Sequence, residues 1–307
     1  MTPKLEVVAE GLGFPEGPVA MTNGSLVFVE IKNQTLSRLT AGGRVEVVAK
    51  IPGGPNGAAV GPDGAIYVCN NGGVYTFNAW NGTTVPGPTP PDYQGGSIQR
   101  VDLATGEVTT LYDSCAGVRL PAPDDIVFDK AGGFWFTASG FQDADRIQKG
   151  ALYYASIDGT QIAKAATIPM ANGVGLSPDG ATVYVSDTIF GRLWALDILD
   201  PKTGQVKPGP LPVMPGRVIQ TLPGFQWLDS LKVEASGRIC VGTIFNGGIT
   251  VFGPDGTTEH VDIPDMFTTN MCFGGQDMQD LWITASSTGK IYKTRWPRPG
   301  LKLAFDA

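Results

Sequence analysis

One motif recurs along this chain and leaves few folds open to it. In residues 171–188 a polar Asn172 heads a short apolar strand through Val174 and Leu176. The turn Ser177-Pro178-Asp179-Gly180 follows, and the chain returns through Val183, Tyr184 and Val185. Pro presets φ for the turn, Gly accepts a left-handed conformation, and the β-branched and aromatic return suits a strand. Asn56 leads in the same way through Gly61-Pro62-Asp63-Gly64 to Ile66-Tyr67-Val68, Asp124 through Ala131-Gly132-Gly133 to Phe134-Trp135-Phe136, and Asp229 through Ala235-Ser236-Gly237 to Ile239-Cys240-Val241. Weaker copies begin at Glu16 and at Asn270. The spacing of roughly 40 to 70 residues suits one four-stranded sheet repeated radially. The expectation is an all-β, six-bladed β-propeller with a central metal site, a single domain over residues 1–307. The strand around Val7 should join the last blade and close the ring, leaving no free sheet edge.

Composition agrees. The 42 Gly and 24 Pro fit many tight turns rather than disorder, because a hydrophobic fraction of 42% can fill a core. A net charge of −7 with no basic cluster argues against nucleic acid. No apolar run reaches membrane-span length and the first residues lack a signal-peptide core, so a soluble cytoplasmic protein, a monomer or small homo-oligomer, is expected. Cys69, Cys115, Cys240 and Cys272 lie far apart and read as free thiols rather than a zinc or redox pair. The lone His260 follows a surface turn, far from any strand head. Residues 71–97 interrupt the second blade with a Pro-rich stretch carrying Tyr75, Phe77, Trp80 and Tyr93, and should cover one face.

Innermost strands of a propeller line its central channel, so equivalent positions converge on the axis. The repeat heads Glu16, Asn56, Asp124, Asn172, Asp229 and Asn270 all carry oxygen. Each alone has an ordinary explanation: Asn before Gly is a frequent turn pair, Glu16 could be a loop acid, and Asp229 a strand-end cap. Their recurrence in register is what argues for a site. Carboxylates and amide carbonyls without His or Cys suit a hard divalent cation.

Phe14-Pro15-Glu16-Gly17-Pro18, the run from Ala171 to Gly180, Leu228-Asp229-Ser230-Leu231 and Phe273-Gly274-Gly275 resemble signatures of the senescence-marker-protein, gluconolactonase and regucalcin (luciferin-regenerating-enzyme-like) family. The likeness covers essentially the whole chain. It implies a metal-dependent hydrolase opening a sugar lactone or related cyclic ester. By position, Glu16, Asn172 and Asp229 look like metal ligands, joined by Asp124, with Asp229 also the general base on water. Asn56, Arg119 and Asp124 would contact the lactone. One divalent cation is implied, Ca²⁺ first, with Zn²⁺, Mg²⁺, Mn²⁺ and iron as alternatives. The chain departs from the family pattern at Asp124, where an amide is usual, and at Ala138, where an acid is frequent. An organophosphate hydrolase of phosphotriesterase type on the same metal, or a non-catalytic calcium-binding propeller, are the competing functions. Trp135, Phe225 and Trp227 could serve a flat apolar substrate or simply pack between blades.

Overall fold

In the computed structural model, which describes residues 3–142 and 146–305, each repeat supplies the two inner strands of an antiparallel sheet of four or five strands. The innermost strands are Pro15–Ala20, Pro55–Val60, Pro123–Phe128, Ala171–Leu176, Trp227–Val233 and Thr268–Gly274. Each touches the next, and the last touches the first, so the six sheets form a closed ring. The N-terminal strand Glu6–Ala9 pairs with Lys290–Arg295 and completes the sixth sheet, as expected. Among the described residues every regular element is a strand, and no helix is long and apolar enough to cross a membrane.

Local chemistry explains the hairpins. At Ser177-Pro178-Asp179-Gly180, Gly180 takes φ 71°, its N–H donates to the Ser177 carbonyl at 2.8 Å, and the Asp179 carboxylate accepts from Ala181 N–H at 3.0 Å. Between blades the packing is apolar, as where Trp135 and Tyr154 of the third sheet meet Val183 and Trp194 of the fourth.

Two features set the axis. All six inner strands carry a register shift near their heads, at Glu16/Val19, Pro55/Ala58, Pro123/Ile126, Ala171/Val174, Leu228/Leu231 and Thr268/Asn270. Such a bulge re-aims side chains, and here one lies near the head of the inner strand in every blade. The second is close approach: a Cβ on Gly57 would lie 2.4 Å from the Asp124 carbonyl oxygen, and one on Gly173 would lie 2.4 Å from Leu231 N. The Asn-Gly pairs are therefore strand residues pressed against the next blade, not turns. Hydroxyls on the second strands bind neighbouring inner strands: Ser186 donates to the Asp229 carbonyl at 2.6 Å, Ser286 to the Pro15 carbonyl at 2.6 Å, and Thr137 to the Asn172 carbonyl.

The Pro-rich segment 201–215 does not lead out of the fourth blade. It lies inside it, because Arg192–Asp200 pairs onward with Arg217–Thr221. At one end of the channel, Leu301, Leu303 and Phe305 pack with Val60, Val127 and Leu231 around a small apolar space. This segment is anchored by the Leu301 N–H to the Val233 carbonyl at 2.8 Å and by Phe305 edge-on to Phe128. The other end is open.

Candidate active site

At that open end Glu16, Asn56, Asp124, Asn172 and Asp229 line one cavity of about 650 Å³. None of the five is more than 8% exposed. The register shift at each strand head places them there. In the sixth blade the equivalent cavity residue is Thr269, not Asn270. Asn270 is fully buried and donates from Nδ2 to Glu16 Oε2 at 2.8 Å, so it positions a site residue instead of facing the cavity.

The carboxylates are poorly compensated. Burial pushes Glu16 up to about 7 despite hydrogen bonds from Thr269, Asn270 and Gly17. Burial, then the charges of Glu16 and Asp125, raise Asp124 well above the usual carboxylate range. Burial, then the charges of Glu16 and Asp124, do the same to Asp229, against hydrogen bonds from Ser230 and Asn172. The three acids share the wall of one cavity, and no Lys, Arg or His stands among its described lining residues. Among the described residues no group of three or more His, Cys, Asp or Glu side chains could hold a metal ion. A ligand set here must therefore draw on the amides of Asn56 or Asn172. Buried hard oxygen donors with excess negative charge fit a divalent cation in chemistry and in electrostatics.

Other candidates lie elsewhere. Arg119 sits on the exposed hairpin Ser114–Cys115 and Val118–Arg119, where its guanidinium is bound to Asp113 at 2.5 Å. It is absent from the cavity wall. His260, on the outer strand of the fifth blade, bonds Thr250 through Nδ1 at 3.0 Å. Trp135 is fully buried against Tyr154 and packs between blades, whereas Trp227 lines the cavity. Cys69, Cys240 and Cys272 are buried free thiols, and Cys115 is a partly buried one.

The insertion covers this end, as its apolar content suggested. Its hairpin Phe77–Trp80 and Thr83–Pro86 is pinned through Thr84 N–H to the Ser287 carbonyl at 2.8 Å. Tyr75, Trp80, Val85 and Pro88 face the cavity. Burial first, then the charges of Asp124 and Asp229, drive the Tyr75 phenol far upward, so it stays a protonated donor beside both acids. Sequence reasoning gave Tyr75 only an apolar role. Its one signal was its place in the insertion.

The sequence model of the SMP-30/Gluconolactonase/LRE-like region matches residues 14–287. A gluconolactonase of Zymomonas mobilis is 25% identical, over 92% of this chain and 79% of its own. Among solved structures, a gluconolactonase of Xanthomonas campestris superposes with TM-score 0.75 at 23% identity, covering 96% of this chain and 90% of the other. A calcium-binding regucalcin of Agrobacterium tumefaciens superposes with TM-score 0.74 at 19% identity, covering 99% of each.

Proposed function

We infer that this chain, which belongs to the SMP-30/Gluconolactonase/LRE-like family, is a hydrolase that opens a lactone or related cyclic ester with one bound divalent cation. The observation that carries the reading is the set of three buried, mutually repelling acids, with two amides, at the floor of one covered cavity. The gluconolactonase name of the Zymomonas relative supports the reaction class, and the calcium-binding regucalcin of the same fold supports Ca²⁺ as the first ion to test.

Glu16, Asn172 and Asp229 would hold the cation, with Asp124 beside them on the cavity wall. When bound, it supplies Lewis-acid polarisation of an ester carbonyl and acidifies water. Asp229 takes the proton of the attacking water as the water oxygen bonds to the carbonyl carbon. The acyl C–O bond of the ring then breaks, the ring oxygen leaves as a hydroxyl carrying the proton that Asp229 returns, and the product is a hydroxy acid. Asn270 holds Glu16 by its 2.8 Å hydrogen bond, and Ser230 N–H fixes Asp229 Oδ1 at 3.0 Å. Tyr75 offers a proton-bearing donor toward developing negative charge. The insertion hairpin overhangs part of the cavity mouth.

The test is a panel of lactones and diisopropyl fluorophosphate assayed side by side, in chelator and with Ca²⁺, Zn²⁺, Mg²⁺ or Mn²⁺ restored. Lactone opening that disappears in chelator and returns with one ion is expected. A thermal shift with Ca²⁺ but no turnover of any ester would leave a binding propeller instead.

A further inference from the structure

The wall above the carboxylate floor is built from aromatic rings in unbroken contact. Phe225 meets Trp227 at 5.9 Å between centroids, Trp227 meets Phe245 at 5.0 Å, Phe245 meets Phe267 at 6.0 Å, and Phe267 meets Phe14 at 6.0 Å. The ladder runs from Phe225, 74% exposed at the rim, to Phe14, two residues before Glu16. Trp227 and Phe245, partly exposed, face the cavity, Phe14 and Phe267 line it as nearly buried rings behind them, and Met170, Ile244 and Phe141 add further apolar surface.

The backbone holds two of these rings at a cost. Phe14 has φ 58° and Phe245 φ 76°, a left-handed conformation that bulky side chains resist. Strain of this kind persists where surrounding structure and use require it.

The exposed surface of the wall is mostly apolar; of its polar groups the Thr188 hydroxyl has no hydrogen-bond partner among the described residues and others are engaged. Thr89 donates to the Gln142 carbonyl at 3.5 Å, Ser139 to the Ala122 carbonyl at 3.3 Å, and Thr269 pairs with Ser286 at 2.5 Å. A sugar lactone would bring several hydroxyls that need partners on leaving water, and it would find aromatic faces. An anionic lactone would meet three carboxylates and no cationic side chain in the wall.

We propose that the cavity takes a lactone or related ester bearing a large apolar, preferably aryl, substituent, which lies along the Phe14–Phe267–Phe245–Trp227 wall with its carbonyl toward the acids. This rests on the lactonase reading above and narrows its substrate away from sugar lactones. Aryl groups stack on such rings with added specificity beyond area burial.

The experiment compares kcat/KM of the Ca²⁺-loaded protein for 5-phenyl-δ-valerolactone and glucono-1,5-lactone, with tryptophan fluorescence titration by 2-phenylcyclohexanone, a ring ketone that water cannot open. The phenyl lactone is expected to lead by about 100-fold. Phe245→Gly keeps the left-handed backbone without strain and removes the ring. It should raise KM for the phenyl lactone and weaken ketone binding about 10-fold. Preference for glucono-1,5-lactone overturns the inference while the lactonase reading stands. Ketone binding lost in Phe245→Gly, with no lactone opened, upholds the apolar cavity and overturns the lactonase reading. No ketone binding and no preference for the phenyl lactone overturns the inference.

Discussion

Asp124 and Asp125 are adjacent in sequence and both almost fully buried, yet Asp124 lines the cavity at the open end while Asp125 pairs with Lys232, which lines the space at the closed end. Asp125 receives Lys232 Nζ at 3.3 Å and the N–H of Ile126 at 3.0 Å. Glu234, beside the segment that closes that end, accepts from Arg298 Nε at 2.7 Å and Trp296 Nε1 at 2.8 Å. At the open end Glu16, Asp124 and Asp229 have one another and no cationic side chain among the lining residues. The fold pairs Asp125 and Glu234 with its own cations. At the cavity it leaves a negative charge that an ion from solution can offset.

The largest expected effect separates the two ends by function. Asp229→Asn should lower kcat/KM for lactone opening by about 1,000-fold or more, as loss of a general base and ion ligand does. Glu234→Gln should leave kcat/KM within about twofold. Equal loss in both, measured by initial rates, would erase the distinction.

Stability should move in the other order. Glu234→Gln breaks a buried pair and should cost about 3 kcal/mol by denaturant unfolding, the low end for such pairs because Arg298 reaches solvent. Asp124→Asn in the metal-free protein should instead stabilise, on the order of 1 kcal/mol, by relieving burial and repulsion. A destabilised Asp124→Asn in chelator would break the comparison.

The pH dependence sharpens it further. Glu16 is raised from 4.5 to about 7 in the folded chain, so the folded state binds more protons than the unfolded one between those values. The metal-free protein should lose stability as pH rises through that window. For Glu234, burial pushes upward but Arg298, Trp296 and Ser236 together hold it below its ordinary value of 4.5. Its contribution is complete above 4.5 and is lost as pH falls through the depressed value. Thermal midpoints from pH 3 to 8 in chelator should therefore peak in mildly acidic buffer, and Ca²⁺ should lift the neutral side. A neutral maximum without metal would contradict the charge excess at the axis.

The smallest effect concerns a third kind of acid, exposed and paired. Arg119→Ala breaks an ion pair whose side chains are 63% and 49% exposed, so stability should change by no more than about 0.5 kcal/mol. Lactone kcat/KM should hold within about twofold, and a larger drop would place Arg119 within reach of substrate after all.

The apolar and turn pattern made the repeats legible because each hairpin is a local object: Pro, Asp and Gly shape the turn wherever it occurs. Glu16, Asn56, Asp124, Asn172 and Asp229 were legible for the same reason, since each stands at a fixed offset from its turn. The sixth blade shows the limit. A one-residue difference in the bulge puts Thr269 on the cavity and turns Asn270 behind it, and an offset count does not detect a bulge. Arg119 was placed by resemblance, but its hairpin points it to Asp113.

What the sequence determined by itself is the repeat, the ring closed by its first strand, and which oxygen-bearing side chains head the inner strands, because all of these follow from periodicity and nearest-neighbour turn chemistry. Only the tertiary structure decided that Tyr75 joins the acids at the cavity, that rings from the first, fifth and sixth blades form one wall, and that Asp125 meets a lysine while Asp124 faces the cavity. Those outcomes depend on distances between residues far apart in the chain, such as the 107 positions separating Asp125 from Lys232, and no local rule encodes them.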